Sequence, residues 1–317
     1  MSINIQAILQ KMIVGGFTLI LAGYATAYNK QAIEPTKASN LNQHLQQIVS
    51  TTQYRNHKNI NELNRVAAYI KQQIELSGIP CEYQNYQVEE HSYRNVVCKL
   101  NADKAKTIIV GAHYDTYGEQ QGADDNASGI AGLIELARVM SKQKDRLRHN
   151  IDFVAYTLEE PPYFRTEYMG SYIHAQSLQA RKDKIEGVIV LEMIGYFSEK
   201  NEQNYPIKAM KWIYPKHGNF IAAVSNFSSR NLGKDYCAAM NKYNRLQCSR
   251  LVASASVQGV DFSDHLNYWN LGYKALMITD TSFYRNDAYH TKQDTLDRLN
   301  TNKMAHVLDG VSRMLLK

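Results

Sequence analysis

Thr107-Ile108-Ile109-Val110-Gly111-Ala112-His113-Tyr114-Asp115 decides how the chain must fold. Ile108 to Ala112 is a short continuous run of apolar and small residues bounded by polar ones. Such a run reads as a strand buried on both faces. A strand covered on both sides belongs to a sheet with helices above and below it. His113 and Asp115 follow at once, so they stand at the carboxyl end of that strand.

Working outward, the same grammar recurs. Leu63, Val66, Ala67, Ile70 and Ile74 repeat at helical spacing, which predicts a helix over 61–76 stopped by Ser77-Gly78. Strand-like segments follow near 80–88 and 94–100. Beyond the opening stretch, Ile130, Leu133, Ile134, Ala137 and Met140 mark a helix. Ile151 to Tyr156 marks a buried strand, Gly170 to Leu178 a helix, and Val188 to Leu191 another buried strand. Phe220 to Val224 and Ala275 to Ile278 are two more. Strands alternating with helices predict an α/β fold: an α/β/α sandwich of three layers around a central mixed, mostly parallel sheet. There is no fixed-period repeat and no Pro/Gly/Ser-rich linker, so residues 54–317 read as a single domain.

The 317 residues are 44% apolar and 21% charged, enough to bury a sizeable core. The formal charge of +6 is scattered, without a basic run or a nucleic-acid motif, so no nucleic-acid partner is expected. The start differs. Lys11 precedes the apolar segment Met12–Tyr24, and Ala25-Thr26-Ala27 follows as a small-x-small site. This predicts a signal peptide over 1–27 and export to a periplasmic or secreted location. The segment's 13 residues fall short of the roughly 20 a spanning helix needs, and no second candidate follows. An uncleaved anchor and a buried helix are the rival readings. Residues 28–53 are polar and read as a lead-in helix or a linker.

Cys81, Cys98, Cys237 and Cys248 form no C-x-x-C pair, which argues against a thiolate zinc site. Disulfides and free buried thiols both remain open, as do three connectivities.

The polar residues after the buried strands form a pattern. His113 and Asp115 follow the first, Glu159 and Glu160 the second, Glu192 the third. Asp280 and, further on, His290 follow the last. Open α/β sheets bind ligands at the carboxyl ends of their strands. Asp124-Asp125-Asn126 precedes the 128–140 helix, between Gly122 and Gly129; helix capping is the plain alternative there. Carboxylates and imidazoles without thiolate suit Zn²⁺, Mn²⁺ or Co²⁺. Two histidines and three carboxylates exceed one tetrahedral ion and fit two ions about 3.5–4 Å apart that share a carboxylate. Glu159 is then free to accept a proton, and Asp115 to orient the His113 ring.

These residues resemble a known family. His113-Tyr114-Asp115, Gly122-Ala123-Asp124-Asp125-Asn126-Ala127-Ser128-Gly129 and Leu158-Glu159-Glu160 stand in the order seen in the M28 family of dizinc peptidases. Leu191-Glu192-Met193-Ile194-Gly195, Ser263-Asp264-His265 and Tyr289-His290-Thr291 continue that order. The resemblance runs from about residue 54 to the end of the chain. It implies a zinc-exopeptidase-like fold and two Zn²⁺ ions. One ion would take Asp125, Glu160 and His290, the other Asp125, His113 and Glu192. Glu159 would be the general base, with a cis peptide at Asp125–Asn126.

Two departures stand out. Glu192 replaces the Asp of many relatives, and Pro161-Pro162-Tyr163-Phe164 replaces Gly and small apolar residues, offering aromatics that could wall a pocket. No tyrosine near Ser263 matches the oxyanion-stabilising one of some relatives. His265 is expected to line the site with Asp264. The other histidines are read as surface or core residues.

The implied activity is metal-assisted hydrolysis of a peptide or small aminoacyl substrate, most simply by an aminopeptidase. A glutaminyl cyclase-like acyltransferase with one zinc is the first alternative. A carboxypeptidase or aminoacylase using Arg165 or Arg285 for a substrate carboxylate is the second, and a scaffold without catalysis the third. The sequence leaves the oligomeric state open.

Overall fold

The computed structural model describes residues 33–50, 53–200, 202–243 and 246–316. The chain divides into Met1–Glu34 and Pro35–Lys317, and the second unit is described here. The expected signal peptide, 1–27, lies outside the described residues. Among the described residues no helix is long and apolar enough to cross a membrane.

Among the described residues eight strands form one sheet. They are β1 (Cys81–Val88), β2 (His91–Leu100), β3 (Thr107–His113), β4 (Asn150–Tyr156), β5 (Ile185–Glu192), β6 (Phe220–Ser225), β7 (Gln247–Val252) and β8 (Ala275–Thr279). Their order is β1-β2-β4-β3-β5-β8-β6-β7. The four central strands, β4, β3, β5 and β8, run parallel. β1, β2 and β6 join them by antiparallel pairings, and β7 closes the far edge parallel to β6. The sheet is therefore mixed, with a parallel centre, as the apolar runs predict. β3 is buried from Ile108 onward because helices cover both of its faces. Edge strand β1 is mostly half-exposed and polar.

Among the described residues seven α-helices flank the sheet: α1 (Ala38–Val49), α2 (Ile60–Glu75), α3 (Gly129–Ser141), α4 (Gly170–Arg181), α5 (Arg230–Tyr243), α6 (His265–Asn270) and α7 (Thr301–Leu315). α3 packs on β3 and β5 and is joined by α1, α2 and α7, while α5 lies over β6 and β7. α3 is buried almost all round, as a helix with Ile130, Leu133, Ile134, Leu136 and Val139 must be. α4 and α6 cover the opposite face. There Ala175 and Leu178 meet Val154, Tyr156, Val188 and Tyr268 in one apolar cluster.

Residues 28–53 read as a lead-in helix or a linker, and 33–50 and 53 are described. Ala38–Val49 is a helix, and it buries Leu41, Leu45, Ile48 and Val49. Its start is tied to α3: the Lys37 amide and the Asn40 side chain donate to the buried Glu135 carboxylate at 2.9 and 3.0 Å. Both cysteine pairs close locally. Cys81–Cys98 joins paired positions of β1 and β2, and Cys237–Cys248 joins α5 to β7.

Candidate metal centre

The parallel strands bring their carboxyl ends to one place. His113 is the last residue of β3 and Glu192 the last of β5. Glu159 and Glu160 follow β4, and His290 stands in the loop after β8. Asp125 comes from the segment Ala123–Ser128 that leads into α3.

Asp125 lies at the centre. Its Oδ1 is 3.4 Å from His113 Nε2, and its Oδ2 is 3.2 Å from His290 Nε2. Glu192 Oε2 is 3.3 Å from His113 Nε2, and Glu160 Oε2 is 3.2 Å from His290 Nε2. Glu159 Oε2 stands further off, 3.8 Å from His113 Nε2.

The backbone around Asp125 is held from several sides. Gly122 has φ of 56°, a left-handed conformation that suits glycine. At Gly129 a Cβ would lie 2.4 Å from Asn126 Oδ1 and 2.6 Å from the Leu191 carbonyl, so only glycine fits. Asn126 bridges its own segment to the end of β5, donating to Leu191 O and accepting from the Gly129 and Met193 amides. The Asp125–Asn126 peptide is cis, as the resemblance implied. The Asp294 carboxylate accepts the Asp124 and Asp125 amides at 2.9 and 3.0 Å. Arg55, fully buried, donates to the carbonyls of Tyr114, Gln121 and Gly122.

The supporting residues only partly follow expectation. Asp115 Oδ1 is 3.6 Å from His113 Nδ1. Its firm hydrogen bonds go elsewhere, to the amides of Glu159 at 3.2 Å and Glu160 at 3.1 Å. Asp115 thus fixes the backbone of the glutamate pair. Ser263 Oγ donates to Glu192 Oε2 at 2.6 Å, and the Tyr117 amide to Glu160 Oε1 at 3.1 Å. The His290 ring is stacked between two tyrosines, Tyr117 at 4.3 Å and Tyr289 at 3.8 Å. No sequence pattern assigned these roles to Ser263 or Tyr117. Asp280, at the end of β8, does not join the cluster. It accepts the amides of Tyr196 and Ser282 and shapes the loop. His265 turns away, pairing with the Val260 carbonyl at 2.8 Å.

The electrostatics call for cations. Burial pushes Glu159 well above the ordinary carboxylate range, and Glu160 and Glu192 add to the push against His113. Burial and the nearby Asp125 lift Glu160 to about 8, and burial also raises Glu192. For Asp125 burial acts the same way, but His113 and His290 outweigh it and hold the carboxyl below its usual range. Burial opposes charge on His290, yet Asp125 and Glu160 lift it to about 10. Each imidazole sits where positive charge is favoured and carboxylates are crowded. Both His113 ring nitrogens and His290 Nε2 are buried without a hydrogen-bond partner. The donor atoms gather as His113, Asp125 and Glu192, as Asp125, Glu160 and His290, and as His113, Glu159 and Glu160. Imidazole and carboxylate donors of this kind fit a pair of divalent cations sharing Asp125.

A cavity of about 260 Å³ opens beside the cluster. Asp125, Glu159, Glu160, Glu192 and His290 line one end of it. Phe220, Ala222, Val224, Met277 and Val260 make an apolar floor, and Pro161, Phe164 and Phe262 wall it. Of the four residues Pro161–Phe164, Phe164 and Pro161 face this cavity, while Tyr163 packs on His57 and Tyr93. Arg285 is buried and bonded to Gln203 and to the Phe220 and Tyr196 carbonyls. Arg165 pairs with Asp261 at 2.7 Å. Arg285 and Arg165, the two guanidinium groups expected to meet a substrate carboxylate, thus already have protein partners.

The profile described as "Peptidase family M28" matches residues 95–315. A relative named "Uncharacterized protein YfbL", from Escherichia coli (strain K12), is 43% identical over 277 residues, covering 84% of each chain. "Leucine aminopeptidase 1" of Sclerotinia sclerotiorum is 23% identical over 236 residues. That match covers 68% of this chain and 54% of the fungal protein. Among solved structures, LapB from Legionella pneumophila superposes with a TM-score of 0.69 at 22% identity, covering 88% of this chain and 71% of LapB. A Bacteroides thetaiotaomicron glutaminyl cyclase superposes with a TM-score of 0.68 at 17% identity, covering 90% and 99%. At these identities the structural likeness speaks for the fold alone.

Proposed function

The chain belongs to peptidase family M28, a family of peptidase-type hydrolases, and on that premise we propose that it is a two-zinc exopeptidase that removes N-terminal residues from peptides. One observation carries the reading. The two oxygens of Asp125 face two different imidazoles, at 3.4 and 3.2 Å, and each imidazole Nε2 is buried without a hydrogen-bond partner. A carboxylate so placed suits the shared ligand of a two-ion site.

His113, Glu192 and Asp125 would hold one cation, and Asp125, Glu160 and His290 the other. When bound, the ions supply Lewis acidity that polarises the scissile carbonyl and makes a water easier to deprotonate. Glu159 accepts the proton of the attacking water and delivers it to the leaving amine. Asp115 keeps Glu159 in place by holding its amide. The apolar cavity receives the substrate side chain next to the scissile bond. The fungal relatives named leucine aminopeptidase support the N-terminal specificity. Two disulfides support export through the segment 1–27, since such bonds persist in oxidising compartments. We assign the catalytic domain to 54–317, with α1 packed on it.

A substrate screen with and without chelator tests this reading. Hydrolysis of aminoacyl amides with free N-termini is expected, lost with chelator and restored by Zn²⁺. Release of ammonia from N-terminal glutaminyl peptides would favour the cyclase instead. Turnover confined to N-acyl amino acids would favour the aminoacylase, and inactivity on every substrate the scaffold.

A further inference from the structure

The segment Asn204–Asn219, between β5 and β6, has two unlike sides. Tyr205, Met210 and Tyr214 turn inward and line the cavity. Tyr205 and Tyr214 pack at 5.6 Å, and their hydroxyls donate to the Pro215 and Arg250 carbonyls. That side is satisfied by the fold. On the other side Trp212 is 90% exposed, Ile213 80% and Ile207 51%. Lys208, Lys211 and Lys216 are exposed among them, and the segment contains no acidic residue.

An adjacent exposed Trp and Ile form an apolar projection that water does not favour. Protein interfaces are depleted in lysine, so three lysines around this projection fit a protein partner poorly. A membrane surface fits both features. Indole settles at the boundary between headgroups and acyl chains, and lysine pairs with anionic headgroups. The net charge of +6 adds long-range attraction to such a surface. We infer that the Trp212 projection docks the protein on an anionic phospholipid bilayer, with the loop that walls the cavity lying at the lipid surface. Such docking uses this loop and the chain's positive charge and does not depend on the reaction.

The test uses vesicles of phosphatidylcholine and vesicles of equimolar phosphatidylcholine and phosphatidylglycerol, in co-sedimentation with the whole protein. Binding to the anionic vesicles is expected, weakening as salt rises. Each of Lys208→Gln, Lys211→Gln and Lys216→Gln should weaken it on the order of five-fold. Trp212→Ala with Ile213→Ala should abolish it while leaving the thermal unfolding midpoint unchanged, since both side chains are exposed. Tryptophan emission gives a second readout. The chain has two tryptophans, and Trp269 donates its indole N–H to the Ala275 carbonyl at 3.0 Å. A blue shift on adding anionic vesicles should therefore come from Trp212 and vanish in Trp212→Phe. Failure to bind at low salt, or binding that the Trp212/Ile213 variant retains, overturns the inference. So does concentration-dependent dimerisation that this variant abolishes, which would make the projection a contact between copies.

Discussion

The two halves of the site use the same chemistry but are anchored differently. His113 and Glu192 end neighbouring parallel strands with only β3 and β5 beneath them, and His113 is 1% exposed. Ser263 braces Glu192 through a direct hydrogen bond. His290 stands on a loop with a left-handed backbone, and its side chain is 21% exposed. Two tyrosine faces hold it, and one of those tyrosines, Tyr117, is 39% exposed. The first half inherits its geometry from the sheet. The second has to be assembled from a loop, and His290 is the more exposed of the two imidazoles. If the two halves hold the two proposed ions, they need not bind them equally: the His113 half should hold its ion more tightly.

The largest effect should come from the residue common to both halves. Asp125→Asn keeps the shape and removes the shared charge, so both cations are lost and hydrolysis is abolished. Metal content after dialysis checks this, and two retained ions would break the idea of a shared ligand. Next comes Glu159→Gln, which should lower kcat by about 10²–10⁴-fold while both halves keep their cations. Loss of metal in that variant would make Glu159 a ligand, as its grouping with His113 and Glu160 allows.

The comparison itself is tested by a pair of variants. Ser263→Ala should weaken the tighter cation by about 10- to 100-fold. Tyr117→Ala should weaken the other by on the order of two- to ten-fold, with Tyr117→Phe restoring it because the ring face is what stacks. Competition with a chromophoric chelator reads both affinities. If Tyr117→Ala weakened the tighter ion, the two halves would not be separable.

The smallest effect lies outside both halves. His174 and His265 are buried; burial depresses them to about 3 and about 4. Their folded pKa values lie below the unfolded value near 6.5. The unfolded chain therefore binds protons first at these two groups, and the stability they contribute falls as pH drops from about 6.5 toward 3. Urea unfolding at several pH values should show this slope, shallower in His174→Gln. An unchanged slope would show that His174 does not contribute to it.

Much of this was legible in the chain. The runs 108–112, 151–156, 188–191 and 275–278 are strands because a parallel centre leaves no polar face, and such runs need no partner to be read. The strand-end rule then brought His113, Glu160, Glu192 and Glu159 forward. It also named Asp280, whose carboxylate serves the loop instead. β7 escaped notice because an edge strand reading Gln247-Cys248-Ser249-Arg250 carries no apolar run. α5 and α7 hide their apolar stripes among polar residues. Ser263 and Glu192 are 71 residues apart, and Arg55 reaches Gly122 across 67. Contacts of that kind depend on how loops approach once the sheet exists, and no local pattern encodes them. Tyr117 acts through a ring face, which has no spacing signature.

Zinc-edge anomalous diffraction from crystals of the zinc-loaded protein tests the central claim most directly. Two peaks about 3.5–4 Å apart should flank the Asp125 carboxylate. One should lie against His113 and Glu192, the other against His290 and Glu160, and the second should fade first on brief soaking in chelator. A single peak at full zinc loading, or two peaks that do not share Asp125, would contradict the account.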